Sequence, residues 1–171
     1  MRMFRSFLLL ATFATPGGLL AQENPVSTAV RQAAGASSKN LLAAAEAMPA
    51  DKYGFKPTPA QMTFAELIVH IQGDNRTTCA AIGGAKPAAE AKLAPTDAKE
   101  NLVSALQRSL AFCDAALAQV TDAKLGDPVS YYGHNASRAV AFIGLIADWA
   151  DHYGQQAIYL RLNGVLPPTA R

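Results

Sequence analysis

Charge, aromatic rings and reactive side chains are all scarce in this chain. Of its 171 residues, 16% are charged and 8% aromatic, and there are only two cysteines, three histidines and one tryptophan. No run of Lys and Arg occurs and the formal net charge is +2, so nothing draws the chain to a phosphate backbone. Nucleic acid is therefore excluded as a partner. Val, Ile, Thr and aromatic residues are too thinly spread to build a large sheet. Alanine, by contrast, fills 35 positions in a sequence that is 50% hydrophobic. That composition predicts one globular, helical domain, and no internal repeat or low-complexity tract interrupts it.

The first residues follow a different rule. Arg2 and Arg5 precede an apolar run, Phe7 to Ala14, which Pro16-Gly17-Gly18 ends, and small-residue cleavage fits after Ala21. This is the layout of a signal peptide over residues 1–21, too short to span a bilayer, ahead of a mature domain over residues 22–171. Cleavage takes two of the 15 basic side chains and none of the 13 acids, leaving a net charge of zero. The expected location is periplasmic or secreted, with no membrane association after cleavage. In that setting Cys79 and Cys113 are an even pair of the kind that closes a disulfide. Two buried thiols on adjacent helices are the alternative, and no catalytic motif surrounds either residue.

Four helices can be read in the mature chain. Asn24-Pro25 supplies a cap and a first-turn proline for a helix running to about Ala47, which Met48-Pro49 stops. Thr63 with Glu66 forms a capping box for a second helix, Met62 and Leu67 have the spacing of a hydrophobic staple, and Gly83-Gly84 ends the segment. Thr96 or Asp97 caps a third, whose Leu102, Leu106, Leu110, Cys113, Leu117 and Val120 recur at helical spacing. After a loop at Tyr131 to Asn135, Ser137 caps a fourth helix running to Asn163. Apolar on most of its circumference, this last helix is expected to be the most buried. The fold class is all-α, a four-helix bundle with long connections that cross an end of the bundle, an irregular all-helical domain being the alternative.

Each histidine falls in or beside one of these helices: His70 in the second, His152 in the fourth, and His134 in the loop before the fourth. Asp148 and His152 stand four residues apart, so their side chains share a face with Leu145, Trp149 and Gln156. A carboxylate directed towards apolar surroundings needs a partner. A divalent ion shared with His70 supplies one, and two imidazoles with a carboxylate suit Zn, Ni, Fe or Mn. A core histidine hydrogen-bonded to Asp148 is the competing account of the same spacing. Asp151 neighbours the pair but points about a third of a turn away from His152, and no general base is identified. Tyr131, Tyr132, Tyr153 and Tyr159 read as core or interface residues. Asn75-Arg76-Thr77 and Asn135-Ala136-Ser137 match glycosylation acceptors.

Met48 to Pro59, with Thr63-Phe64-Ala65-Glu66-Leu67 and His70, resembles the DinB-like superfamily, as does Asp151-His152-Tyr153-Gly154-Gln155 with Tyr159 to Pro168. The resemblance implies a four-helix bundle whose metal site combines a His on the second helix with an H-x-x-x-H pair on the fourth. His70 takes the first place and His152 the last, while Asp148 stands where the family commonly has His. Some relatives are thiol transferases, isomerases or hydrolases. The resemblance thus implies a metal-dependent hydrolase or transferase acting on a small-molecule substrate, with metal bound by His70, Asp148 and His152. The alternative is a non-enzymatic helical binding or dimerisation module, a homodimer among its forms, with a degenerate site.

Overall fold

Punctuation in the sequence sets most helix ends. In a computed structural model, which describes residues 24–170, α1 spans Pro25–Ala47, α2 Phe64–Gly83, α3 Lys99–Ala118 and α4 Arg138–Leu162. The signal-peptide assignment of residues 1–21 lies outside the described residues. The capping box forms: Thr63 Oγ1 accepts from the Glu66 amide, and the Glu66 carboxylate accepts from the Thr63 amide. Gly84, at φ 68°, closes α2 in the left-handed conformation that glycine adopts most readily. Ser137 caps α4 by accepting from the Val140 amide.

Two ends differ from expectation. The Asn24 side chain makes no cap; its Oδ1 accepts from the Asp122 amide, and the Asp122 carboxylate accepts from the amides of Val26 and Ser27. The first helix is thus capped from a 3₁₀ turn 96 residues away. Neither Thr96 nor Asp97 caps α3, which follows Ala98; the Asp97 carboxylate instead accepts from the Ala94 amide.

Cross-links between helices define their directions. Asn75 bonds Ser109, Cys79 is disulfide-bonded to Cys113 and Gly83 meets Ala116, so α2 and α3 run parallel. The last contact is close enough that a Cβ on Gly83 would lie 2.7 Å from the Ala116 Cβ. Tyr159 bonds the Met62 carbonyl, Trp149 bonds Asn75 and Arg138 bonds the Ile82 carbonyl, so α4 is antiparallel to α2. Lys99 reaches the Glu46 and Met48 carbonyls and Arg31 the Val120 carbonyl, making α1 antiparallel to α3. The bundle is up, down, down, up.

Parallel neighbours require a connection as long as the bundle itself. Residues 84–98 run along it instead of over its end, pinned midway where Glu90 meets Arg76, Arg108 and Gln72. The core between the helices is aliphatic, with Trp149, Phe64 and Phe142 as its largest fully buried side chains.

Two further findings depart from the sequence pattern. The loop before the fourth helix contains a two-stranded antiparallel hairpin, β1 (Pro128–Tyr131) and β2 (His134–Ser137), with Tyr131 opposite His134. And α4 is not the most buried helix: Val140, Ile143, Ile158 and Leu162 are all exposed on it, whereas α2 buries half of its 20 residues.

Candidate metal centre

His70 sits in the second turn of α2, at the edge of the stretch that Leu67, Ile68 and Ile71 turn towards the core. His152 is held opposite by Trp149, whose indole Nε1 donates to Asn75 Oδ1 at 2.7 Å while the Asn75 amide donates to Ser109 Oγ at 3.0 Å. This buried bridge follows Asp74 by one residue on α2 and Asp148 by one residue on α4. It fixes the two helices against each other at the level of the site. Asn75 is 1% exposed with its amide committed at both ends, so the first glycosylation motif is closed in the folded chain.

The antiparallel crossing brings the two imidazoles together, with ring centroids 5.0 Å apart and planes at 84°. Each has a carboxylate four residues away on its own helix. Asp74 Oδ2 lies 3.4 Å from His70 Nε2, and Asp148 Oδ1 lies 3.3 Å from His152 Nε2. Donor atoms of His70, Asp74 and His152 all fall within 4.8 Å of one another. Asp148 stands outside that three-residue group and contacts the site through His152. His134 lies on the exposed hairpin, on β2, and takes no part. The residue that sequence reasoning missed is Asp74, and the signal was available: His70 and Asp74 have the same four-residue spacing as Asp148 and His152.

A divalent ion fits this donor set. His152 is 5% exposed, and among the described residues neither of its ring nitrogens has a hydrogen-bond partner, Asp148 Oδ1 standing 3.3 Å from Nε2 as a charge contact only. Orphaned buried nitrogens are costly unless something else binds them. Within each helix the His–carboxylate separations of 3.4 and 3.3 Å match the roughly 3.3–3.5 Å between donors held about 2.0–2.2 Å from a common ion at tetrahedral angles, and the three-residue group as a whole lies within 4.8 Å. Burial pushes the His152 imidazole down, but the Asp148 contact and the charges of Asp151 and Asp74 more than offset it, leaving a raised pKa.

The site opens towards His70, whose side chain is 39% exposed against 7% for His152. Beside the two acids stands the hairpin tip. Burial, followed by the charges of Asp148 and Asp74, raises the Tyr131 phenol and lifts that of Tyr132 to about 12, so both hydroxyls remain protonated donors at neutral pH. A separate cavity of about 510 Å³, bordered by Lys86, Val129 and Arg138, touches none of the four site residues.

A family model described as the DinB superfamily matches residues 35–155. Three solved structures share the fold at low identity. A DinB-like protein from Bacillus cereus is 15% identical at a TM-score of 0.69, over 82% of this chain and 95% of that one. A DinB-like protein from Bacillus subtilis is 17% identical at 0.64, over 80% and 92%. A conserved protein from Enterococcus faecalis is 17% identical at 0.63, over 80% and 96%. No curated protein matches the sequence.

Proposed function

This chain belongs to the DinB superfamily, and from that premise we propose that it is an exported domain binding one divalent metal between α2 and α4. The donors are His70, Asp74 and His152, with Asp148 as a second carboxylate from α4. The observation that carries this reading is the His152 ring, buried with both nitrogens unpartnered beside a convergent imidazole and carboxylate. Two imidazoles and two carboxylates suit Zn, Ni, Fe(II) or Mn, and ions that accept six ligands keep positions for a substrate.

We extend this to a metal-dependent hydrolase or transferase. The chemistry such an ion supplies is polarisation of a substrate oxygen or activation of water. The protein's own contribution is orientation: Trp149 and Asn75 hold the helices in register, and the exposed His70 side admits the substrate. Export is supported by the basic and apolar N-terminal pattern and by the Cys79–Cys113 bond.

Metal affinity tests this reading. His152→Ala is expected to lose at least 100-fold in affinity, and Asp74→Asn and Asp148→Asn roughly tenfold or more each, the range found when ligands or their supports are removed. Equal, negligible metal in the native chain and in His152→Ala overturns it.

One observation favours a second reading, a pairing module. Val140, Ile143, Ile158 and Leu162 are 53–58% exposed on α4, and Ile143 and Ile146 line an apolar groove with Ala29, Val30 and Ala33 of α1. A second copy of the chain would cover this face. Sedimentation showing a dimer at micromolar concentration supports it, and a monomer at every concentration overturns it.

A further inference from the structure

Tyr132 is hard to explain as a structural residue. It lies at the hairpin tip at φ 47°, followed by Gly133 at φ 77°, so the two form a tight turn in which both residues are left-handed. Asn or Gly is favoured at the first of these positions, and a bulky aromatic residue is an outlier there. Nor does burial compensate, because Tyr132 is 55% exposed. Strain retained at an exposed position is characteristic of functional surfaces.

The surroundings say which surface it serves. The Tyr132 ring packs on that of Tyr131, centroids 4.6 Å apart. Tyr131 in turn is seated on α4 at Gly144, where any Cβ would overlap its hydroxyl, one turn before Asp148. Thr78, one turn beyond Asp74 on α2, stands beside the Tyr132 hydroxyl. The tyrosine pair thus stands within one helical turn of Asp148 on the α4 side and of Asp74 on the α2 side, with the Tyr132 ring exposed.

We propose that Tyr131 and Tyr132 form the substrate-facing wall of the metal centre, selecting ligands that join an oxygen-donor head to a flat, unsaturated or aromatic body. The head binds at the ion and accepts a phenolic hydrogen bond, while the body stacks on the Tyr132 ring. This rests on the metal reading and goes beyond it by naming a ligand class and the residue that recognises it.

A pair of probes with the same chelating head tests the wall. Benzohydroxamate and acetohydroxamate are titrated into the Ni(II)-loaded protein, followed by calorimetry and by the visible absorbance of the ion. The native chain is expected to bind the benzo compound roughly three- to tenfold more tightly, the worth of one well-placed ring contact. In Tyr132→Asn, which suits the left-handed turn, that preference falls to about one, with Ni(II) affinity unchanged and the melting temperature unchanged or higher. Equal preference in native and variant, or a native ratio of one, overturns the wall while leaving the metal reading intact. A lower melting temperature in the variant assigns Tyr132 a packing role and likewise overturns it. Failure of the native chain to bind Ni(II) overturns both.

Discussion

Opposing demands meet on the His152 imidazole. Its raised pKa favours the cation in the metal-free chain, whereas an ion requires the neutral ring. The two consequences have opposite signs. Without metal, the pair with Asp148 contributes stability that is complete below about pH 6.5, the ordinary imidazole value, and is lost as pH rises through the raised one. Metal affinity runs the other way and falls as pH drops through that raised value. Melting curves of metal-free protein and metal titrations, both taken from pH 5 to 9, are expected to show these crossing trends. The stability trend should flatten in His152→Gln, and a native affinity independent of pH contradicts the assignment. His70 and His152 were legible as candidates because histidines are so few and each falls on a helical stripe. Asp74 was obscured because acids at polar helix positions are ordinary, and only the antiparallel crossing turns it towards His152.

Local chemistry fixes an element when its stop and start signals lie within it. The capping box at Thr63 and Glu66, the left-handed Gly84 and the Ser137 cap are all short-range, and all were readable. The cap of α1 was not, because Asp122 supplies it from 96 residues further along the chain. Its carboxyl is held below the usual range: burial opposes this, but the bonds from Ser27 and Val26 and the charge of Arg31 prevail. Asp122→Ala is therefore expected to lower the melting temperature and to speed amide exchange in the first turn of α1. The native contribution is present above about pH 4 and disappears as pH falls through the depressed value. Unchanged exchange at Val26 and Ser27 contradicts this. The hairpin escaped notice for a related reason: its turn carries Tyr-Gly where Asn-Gly would announce it, and each strand has four residues.

For the whole molecule, fold class followed from composition and periodicity, while helix direction did not. A 15-residue connection is compatible with crossing an end or running the full length, and it is the Asn75–Ser109, Cys79–Cys113 and Gly83–Ala116 contacts that establish that α2 and α3 are parallel. The disulfide closes a separation of 34 residues, which in the loop-closure model stabilises by about 3 to 4 kcal/mol. It lies one turn beyond Asn75 and so braces the bridge that sets the two site helices against each other. The exposed stripe on α4 likewise appears only once the bundle is assembled, since its Val, Ile and Leu residues look like core in sequence. The central claim concerns the assembled pair of helices, and the most direct measurement is metal stoichiometry. Protein titrated with Ni(II) or Zn(II) and then desalted is assayed for metal by mass spectrometry. One ion per native chain, with less than a tenth of that in His70→Ala and His152→Ala whose circular dichroism matches the native, is the predicted result. A native chain that retains no more metal than either variant contradicts it.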